Sequence, residues 1–117
     1  MNQDGCETFV SDCQVRAAVE LIDHTWDPVV LSALRRGPTR RSVLLERIAG
    51  VSDKALTESL RRLTARGLVA RMPNGSRRDA ARYELTALGT SFADGPLAQL
   101  AGWAAEHQEE LAATSRT

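Results

Sequence analysis

The spacing of the apolar residues changes twice along the chain, from a helical period to alternation and back, and these changes predict the order of the elements. Up to Arg66 the apolar positions recur every three or four residues, which is typical of amphipathic helices with one buried face. Beyond Gly67 they alternate with polar positions, which is typical of half-buried strands. Four helices are therefore predicted, at about 14–23, from Trp26 to a stop at Gly37-Pro38, from Ser42 to about Ala49, and from Ser52 to Arg66.

Capping and turn residues support these boundaries. Thr25 or Asp27 is the expected N-cap of the second helix, Ser42 that of the third and Ser52 that of the fourth. Gly50 lies between the third and fourth helices and is free to take the left-handed conformation that a helix exit requires. Two helices joined by so short a turn match the helix-turn-helix pattern.

The second half of the chain predicts a hairpin followed by more helix. Strands are expected from Leu68 to Met72 and from Arg82 to Leu85, with a turn-rich loop over 73–79 between them. Thr86 then caps a helical stretch that is broken near Gly95-Pro96, and a last helix follows. The pattern predicts a mainly α fold with a small β-hairpin wing (α+β), a winged helix-turn-helix. The last helix carries one largely apolar stripe: Leu97, Leu100, Trp103, Ala104, His107 and Leu111.

Length and composition fit one folded domain. The chain has 117 residues, of which 43% are hydrophobic and 26% charged, values that are ordinary for a folded domain. We expect a flexible acidic leader over 1–12 and a single domain over 13–117. The polar, acidic start from Met1 to Ser11 is unlike a signal peptide, and no apolar run reaches the roughly 18 residues of a membrane span. A cytoplasmic protein without membrane contact is expected.

The net charge of zero hides an uneven distribution. Residues 1–34 carry a net charge of −5, residues 35–82 carry +9 and residues 83–117 carry −4. A basic middle between two acidic ends indicates a face that binds a polyanion, and arginine, which dominates this middle, suits phosphate and base edges. A solvated surface whose charges happen to cluster would show the same distribution, so charge alone leaves both interpretations open.

The fourth predicted helix carries the most informative polar residues. Leu56, Leu60 and Leu63 fall on one face, which we expect to be buried. The opposite face holds long or hydrogen-bonding side chains, of which Arg61 and Lys54 suit guanine. Glu58 can accept a hydrogen bond from the amino group of cytosine or orient an arginine. The candidate DNA-binding residues of this helix and its cap are Ser52, Lys54, Thr57, Glu58, Arg61 and Arg62.

Two other stretches add candidate DNA contacts. Arg40, Arg41 and Ser42, at the start of the third helix, are placed to hold a phosphate. Arg77 and Arg78, at the tip of the wing, suit the backbone or a narrow minor groove. Each arginine alone is equally well explained as an exposed charge. Their joint placement predicts double-stranded DNA as a partner of a core at about 38–86.

A combination of motifs over residues 13–107 resembles the HxlR family of MarR-like winged helix-turn-helix regulators. The resemblance implies a DNA-binding transcriptional regulator, more often a repressor than an activator. One departure is Arg41, which stands where that family has an aromatic residue. The operator sequence and the inducing signal are therefore not carried over. The matching positions are Cys13, Trp26, Gly37-Pro38, Arg40, Ser42, Gly50-Val51-Ser52, Leu56-Thr57, Leu60-Arg61, Leu63, Gly67-Leu68-Val69, Tyr83-Glu84-Leu85-Thr86 and Leu88-Gly89.

The resemblance also implies a homodimer formed by the first and last helices, at about 14–23 and 96–113. The apolar stripe of the last helix agrees with this, because so small a domain has limited inner surface to cover it. A two-fold dimer would read an inverted-repeat operator. The alternative is that the stripe packs against its own domain. The candidate dimerisation residues are Val15, Val19, Leu97, Leu100, Trp103 and Leu111.

Cys13 is a candidate sensor, because it lies where redox-sensing or electrophile-sensing members of the family carry their reactive cysteine. The start of a helix favours a thiolate there, whereas the acidic leader disfavours it. Cys6 is a conceivable disulfide partner. A small-molecule inducer in a cavity between the dimer helices and the DNA-binding body is a second possible input.

Enzymatic and metal sites are not expected. His24 and His107 have no neighbouring ligands and two cysteines are too few for a structural zinc site, so no metal or cofactor is predicted. No glycine-rich phosphate loop or nucleophile paired with a base is present. Two alternatives to a DNA-binding regulator stay open: a winged-helix protein-interaction module without DNA binding, and a thiol-based sensor acting through Cys13.

Overall fold

The computed structural model describes residues 10–72 and 81–116 as a helical body with a small sheet. This confirms the predicted fold class. A 3-10 turn, Leu34–Arg36, follows the second helix, and a π-helical turn, Ala93–Leu97, follows the fifth. The elements in chain order are α1 (Val10–Ile22), α2 (Trp26–Ala33), β1 (Thr39–Arg40), α3 (Arg41–Arg47), α4 (Asp53–Ala65), β2 (Val69–Met72), β3 (Arg82–Leu85), α5 (Ala87–Phe92), α6 (Ala98–Glu106) and α7 (Gln108–Arg116).

The core lies between α2, α4 and the sheet. The predicted buried face of α4 is confirmed, since Leu56, Leu60 and Leu63 are at most 3% exposed. Leucine side chains from neighbouring elements meet this face, and burying one such side chain stabilises a fold by about 1.5–3 kcal/mol. The hydrophobic core consists of Val30, Leu31, Leu34, Leu44, Ile48, Leu56, Leu60, Leu63, Leu68, Val69, Ala81, Tyr83, Ala93 and Leu97.

α3 and α4 form the helix-turn-helix, and their caps differ from each other. Gly50 has a φ of +85°, as the predicted turn requires. The Ser52 hydroxyl accepts a hydrogen bond from the Ala55 amide at 3.0 Å, which confirms the predicted cap of α4. The prediction that Ser42 caps α3 is wrong, because α3 begins at Arg41, directly after β1, and no side chain caps it. The Arg41 amide instead donates to the Ala81 carbonyl at 3.0 Å.

The three strands form an antiparallel sheet in the order β1-β3-β2. Thr39, Tyr83 and Arg71 lie side by side in one row across the sheet, and Arg40, Arg82 and Met72 form the next row. Because neighbouring residues of a strand point to opposite faces, the two rows face opposite sides of the sheet. The predicted wing loop, with Arg77 and Arg78, lies outside the described residues.

The contact between the start of α5 and the backbone of Leu68 fixes how the sheet leads into the C-terminal helices. The Thr86 amide donates to the Leu68 carbonyl, and the Thr86 hydroxyl accepts from the Gly89 amide, each at 3.0 Å. The second bond confirms the predicted cap. A Cβ atom on Gly89 would lie 2.0 Å from the Leu68 carbonyl oxygen, so the approach is possible only for glycine.

The ends of the chain depart from the predicted boundaries. The expected break near Gly95-Pro96 is a π-helical turn that continues the helix with Pro96 inside it. Proline lacks an N–H, and a local widening of the helix tolerates this. The predicted last helix at about 96–113 is divided at His107 into α6 and α7. Residues 10–12 of the predicted leader belong to α1, and residues 1–9 lie outside the described residues.

Asp27 joins α2 to α4 instead of capping α2. Its carboxylate is fully buried and accepts from the Ser59 hydroxyl at 2.7 Å. Arg62 donates to both carboxylate oxygens, from Nη2 at 2.9 Å and from Nε at 3.1 Å. Thr25 occupies the N-cap position of α2, but its side chain makes no capping hydrogen bond. We call these three residues, Asp27, Ser59 and Arg62, the α2–α4 bridge.

The guanidinium of Arg62 in the bridge stays charged throughout the physiological pH range. The hydrogen bond to Asp27 raises the pKa of Arg62 above its ordinary value, against a smaller opposing effect of burial. A raised pKa means that the stabilisation is fully present below the pKa of the unfolded chain and is lost only as the pH rises through the still higher folded value. Loss of the Arg62 charge therefore plays no part near neutral pH.

Replacing Asp27 with alanine is expected to lower the free energy of unfolding by about 3 kcal/mol, because it leaves the Ser59 hydroxyl buried without an acceptor and Arg62 without its counter-ion. Ser59→Ala is the matched control and is expected to cost about 1 kcal/mol, since the carboxylate keeps Arg62. Urea denaturation followed by circular dichroism measures both. An equal or smaller loss for Asp27→Ala than for Ser59→Ala would show that the pairing of Asp27 with Arg62 does not stabilise the fold.

Candidate nucleic-acid interface

One face of α4 is open to solvent along its length. Lys54, Glu58 and Arg61 are exposed on the side of α4 opposite the buried leucines. Neither Lys54 nor Arg61 makes an ion pair or hydrogen bond with the described part of the chain. Ser52 is exposed at the start of the helix. This face therefore offers two cations and one carboxylate to an external partner; we call Lys54, Glu58 and Arg61 the α4 face.

Arg41 is not part of this open surface, which corrects its predicted role as a phosphate ligand. Its side chain is only 8% exposed and pairs through Nη1 with the Asp53 carboxylate at 2.8 Å. Its Nη2 donates to the Asp53 carbonyl at 3.1 Å and to the Thr57 hydroxyl at 2.5 Å. The half-buried Thr57 thus accepts from Arg41 inside the protein. Arg41 fills a core-like position and fixes the start of α3 to the first turns of α4.

Arg62 is also turned inward, contrary to its predicted place among the DNA contacts. Its guanidinium belongs to the α2–α4 bridge, and 30% of its side chain is exposed. A guanidinium that donates to both oxygens of a buried carboxylate has most of its donors committed. Arg62 therefore positions α4.

A groove of about 420 Å³ separates the α4 face from the sheet. Arg71 lines it from β2, opposite Arg61 on α4, so two guanidiniums border one concave surface. Arg71 is not among the predicted DNA contacts, although its position in the sequence indicates its place: it lies two residues after the buried Val69 and so shares its face of the strand. The groove is lined by Arg41, Thr57, Leu60, Arg61, Thr64, Ala65, Arg71 and Tyr83.

The structure separates the other predicted phosphate contacts from this groove. Arg40 and Ser42 are exposed, but Arg40 lies in the row of the sheet that faces away from α4. The predicted grouping of Arg40 with Arg61 on one surface is therefore not what the fold produces. Arg77 and Arg78 fall in the undescribed segment 73–80, so their position relative to the α4 face stays a prediction.

Exposed apolar side chains mark a second surface, on α1, α6 and α7. Their exposed fractions lie between 45 and 58%, which contradicts the alternative that the stripe packs on its own domain. Leu97 is an exception: it is 8% exposed and belongs to the core, so its predicted role in dimerisation is corrected. The Trp103 ring stacks on His107, with ring centroids 4.2 Å apart. The exposed members are Val15, Val19, Leu100, Trp103 and Leu111, here called the apolar stripe.

Cys13 lies on α1, two residues before Val15 of the apolar stripe. It is half-buried and disulfide-bonded. Cys6, the other cysteine of the sequence, lies outside the described residues. None of the helices within residues 10–72 and 81–116 is both long enough and apolar enough to span a membrane.

Comparisons with known proteins agree with this arrangement. Residues 21–112 match the model of the HxlR-like helix-turn-helix family. The HTH-type transcriptional regulator YtcD of Bacillus subtilis is 34% identical over 93 residues, which are 80% of this chain and 73% of YtcD. The solved structure of the transcriptional regulator ytfH from Salmonella typhimurium superposes with a TM-score of 0.75 at 30% identity, over 88% of this chain and 91% of that one.

A further solved structure, the quinone-bound YodB of Bacillus subtilis, superposes with a TM-score of 0.67 at 26% identity, over 80% of this chain and 96% of that one. The family and the curated relatives are transcriptional regulators and not enzymes. With a helix-turn-helix formed by α3 and α4, a small antiparallel sheet and a family match over most of its length, the chain belongs to the HxlR-like helix-turn-helix family of transcriptional regulators.

Proposed function

We propose that the protein is a sequence-specific regulator of transcription that binds an inverted-repeat operator in double-stranded DNA as a homodimer and acts as a repressor. The observation that carries the proposal is the α4 face, whose two cations, Lys54 and Arg61, are exposed and have no ion pair within residues 10–72 and 81–116, while the opposite side of the helix is buried. A protein-docking face would favour exposed apolar anchors at these positions, and α4 offers none there.

The α4 face suits the edges of bases in the major groove. The major groove of B-DNA, about 12 Å wide, accepts one helix, and the N-terminal half of that helix then contacts the bases. Arg61 can donate two hydrogen bonds to one guanine, a contact that discriminates by about 1–3 kcal/mol against the wrong base. Arg71, across the groove from Arg61, is placed for a phosphate at the edge of the same site.

Two internal contacts hold α4 in position for this task. The α2–α4 bridge fixes the middle of α4 from one side, and the Arg41 contacts with Asp53 and Thr57 fix its first turns from the other. A recognition element supported in this way keeps its side chains in place before DNA binds, so little ordering is needed on binding. Arg41 and Arg62 thus contribute to DNA binding through the position of α4.

Arg61→Ala is expected to raise the Kd for the operator by about 30- to 10,000-fold, because each of the two half-sites loses a bidentate base contact worth about 1–3 kcal/mol. Arg35→Ala is the matched control, since the Arg35 guanidinium is already paired with Asp94 at 2.8 Å. Fluorescence anisotropy with labelled DNA from the region flanking the gene measures both variants. An unchanged Kd for Arg61→Ala would show that the α4 face does not read DNA.

The apolar stripe supports the homodimer. Trp103 and Leu100 on α6 and Val15 and Val19 on α1 expose apolar surface on helices outside the helix-turn-helix. Large apolar side chains exposed together on a helix indicate an interaction site, and in a two-fold dimer the same surface of each subunit takes part. A two-fold dimer sets its two recognition helices about one DNA turn apart, which is why an inverted repeat is proposed.

Trp103→Glu is expected to convert the dimer into monomers, since it places a charge in an apolar interface, and to reduce operator affinity to that of a single half-site. Leu88→Glu is the matched control, because Leu88 is 61% exposed but lies on α5, outside the stripe. Sedimentation velocity gives the oligomeric state of each variant. A Trp103→Glu protein that remains dimeric would exclude the stripe as the interface.

A thiol input through Cys13 is the second candidate function. Cys13 is disulfide-bonded, and it lies on the helix that carries Val15 and Val19 of the proposed interface. The similar protein YodB has been solved with quinone bound. We propose that the oxidation state of Cys13 changes DNA binding through α1. A small-molecule inducer would instead occupy the groove of about 860 Å³ between α2, α3 and α6.

Oxidation with diamide is expected to change the operator Kd of the native protein relative to the protein kept in dithiothreitol, and Cys13→Ser is expected to remove this difference. Anisotropy titrations in both conditions provide the measurement. Cys6→Ser in parallel shows whether the second cysteine is required. A Cys13→Ser protein that responds to diamide like the native one excludes Cys13 from the mechanism.

A further inference from the structure

Four arginine side chains line a second groove, on the side of the sheet away from α4. The groove has a volume of about 390 Å³, and Pro38, Thr39 and Val43 complete its wall. All four arginines are exposed, and the described part of the chain contributes no acidic residue to the lining. We call this the arginine groove; its arginines are Arg36, Arg40, Arg47 and Arg82.

The sheet register brings two of these charges directly together. Arg40 on β1 and Arg82 on β3 are cross-strand partners, so their side chains leave the same face of the sheet side by side. Tyr83 and Arg71, in the neighbouring row, face the groove beside α4. The two grooves therefore lie on opposite faces of one three-stranded sheet.

The cross-strand pairing of Arg40 with Arg82 is unfavourable for the fold. Like charges directly opposite each other in a sheet repel and destabilise it. In the described ranges, the carboxylates that form ion pairs with arginines are bound to arginines outside this groove. These pairs are Asp94 with Arg35, Asp53 with Arg41 and Asp27 with Arg62. No member of the arginine groove has an ion pair within these ranges. A cluster of uncompensated guanidiniums around a concavity is suited to an external polyanion.

We propose that the arginine groove binds phosphates of duplex DNA outside the base pairs read by the α4 face. This inference rests on the proposed function. A sheet with its side chains is only about 10 Å thick, so with α4 in the major groove the far face of the sheet is close enough to the duplex for its arginines to meet phosphates beyond those that border the base pairs read by α4. A free phosphate compound shares the same chemistry and is the other possible source.

Binding to duplexes of two lengths separates this contact from base reading. The short duplex contains only the operator, and the long one adds about ten base pairs on each side. The double variant Arg47→Ala/Arg82→Ala is expected to bind the short duplex like the native protein and to lose the extra affinity for the long one. The slope of log Kd against log salt on the long duplex should fall by about 3.6, since the two protomers together lose four phosphate contacts and each removes about 0.9. Arg61→Ala is the matched contrast and is expected to weaken binding to both duplexes.

Arg82→Glu provides a readout that a structural role would not produce. It replaces the repulsion with Arg40 by an attraction, so Tm should rise or stay unchanged while affinity for the long duplex falls. A fall in both Tm and long-duplex affinity would assign Arg82 to the fold.

Inorganic tripolyphosphate is the probe for a free ligand. If it raises the Tm of the native protein but not that of the double variant, and the double variant binds the long duplex like the native protein, the groove is a site for small phosphate compounds and the DNA proposal is overturned.

The remaining outcomes distinguish the inference from the proposed function. Native protein that binds the short duplex, with equal affinity of native and double-variant protein for the long one, overturns the inference alone. An equal loss on both duplexes in the double variant also overturns it, because the groove would then act within the operator itself. Native protein that binds neither duplex overturns the proposed function and the inference with it.

Discussion

The carboxylate of Asp27 is fully buried, and the position of α4 depends on how this carboxylate is satisfied. An ionised carboxylate is costly to bury unless it is paired and hydrogen-bonded. Asp27 meets this condition only with α4 in one position, where Ser59 and both donors of Arg62 reach it. Any slide or rotation of α4 against α2 loses these bonds together. The apolar packing around Leu60 tolerates small shifts better, so the bridge supplies the directional constraint.

Arginine takes three different roles within the basic middle of the chain. Arg41 and Arg62 are turned inward and tie α3 and α2 to α4. Arg61 is turned outward on the α4 face, and Arg40 and Arg82 face the opposite side of the sheet. The net charge of this region is therefore divided between internal braces and two separate surfaces. A count of basic residues describes the potential around the domain but not the places where a ligand is gripped.

The sequence pattern predicted those features that depend on residues close together in the chain. The leucine face of α4, the caps at Ser52 and Thr86 and both strands of the hairpin follow from spacing and side-chain type within a few residues. The inward turn of Arg62 depends on a carboxylate 35 positions away, and that of Arg41 on one 12 positions away. No short-range pattern carries such pairings. The predicted helix break at Pro96 was wrong because the helix widens locally into a π-helical turn and continues through the proline.

The sheet and the C-terminal helices are joined by a closely packed backbone contact. Gly89 packs against the Leu68 carbonyl so closely that a single added carbon atom would overlap it, and Thr86 bonds both sides of the junction. Leu68 leads directly into β2, whereas α5 continues through the π-helical turn into α6, which carries Trp103. A tightly packed contact transmits displacement because its atoms have no space to rearrange. The apolar stripe and the sheet beside α4 are thus mechanically joined at a position where only glycine fits.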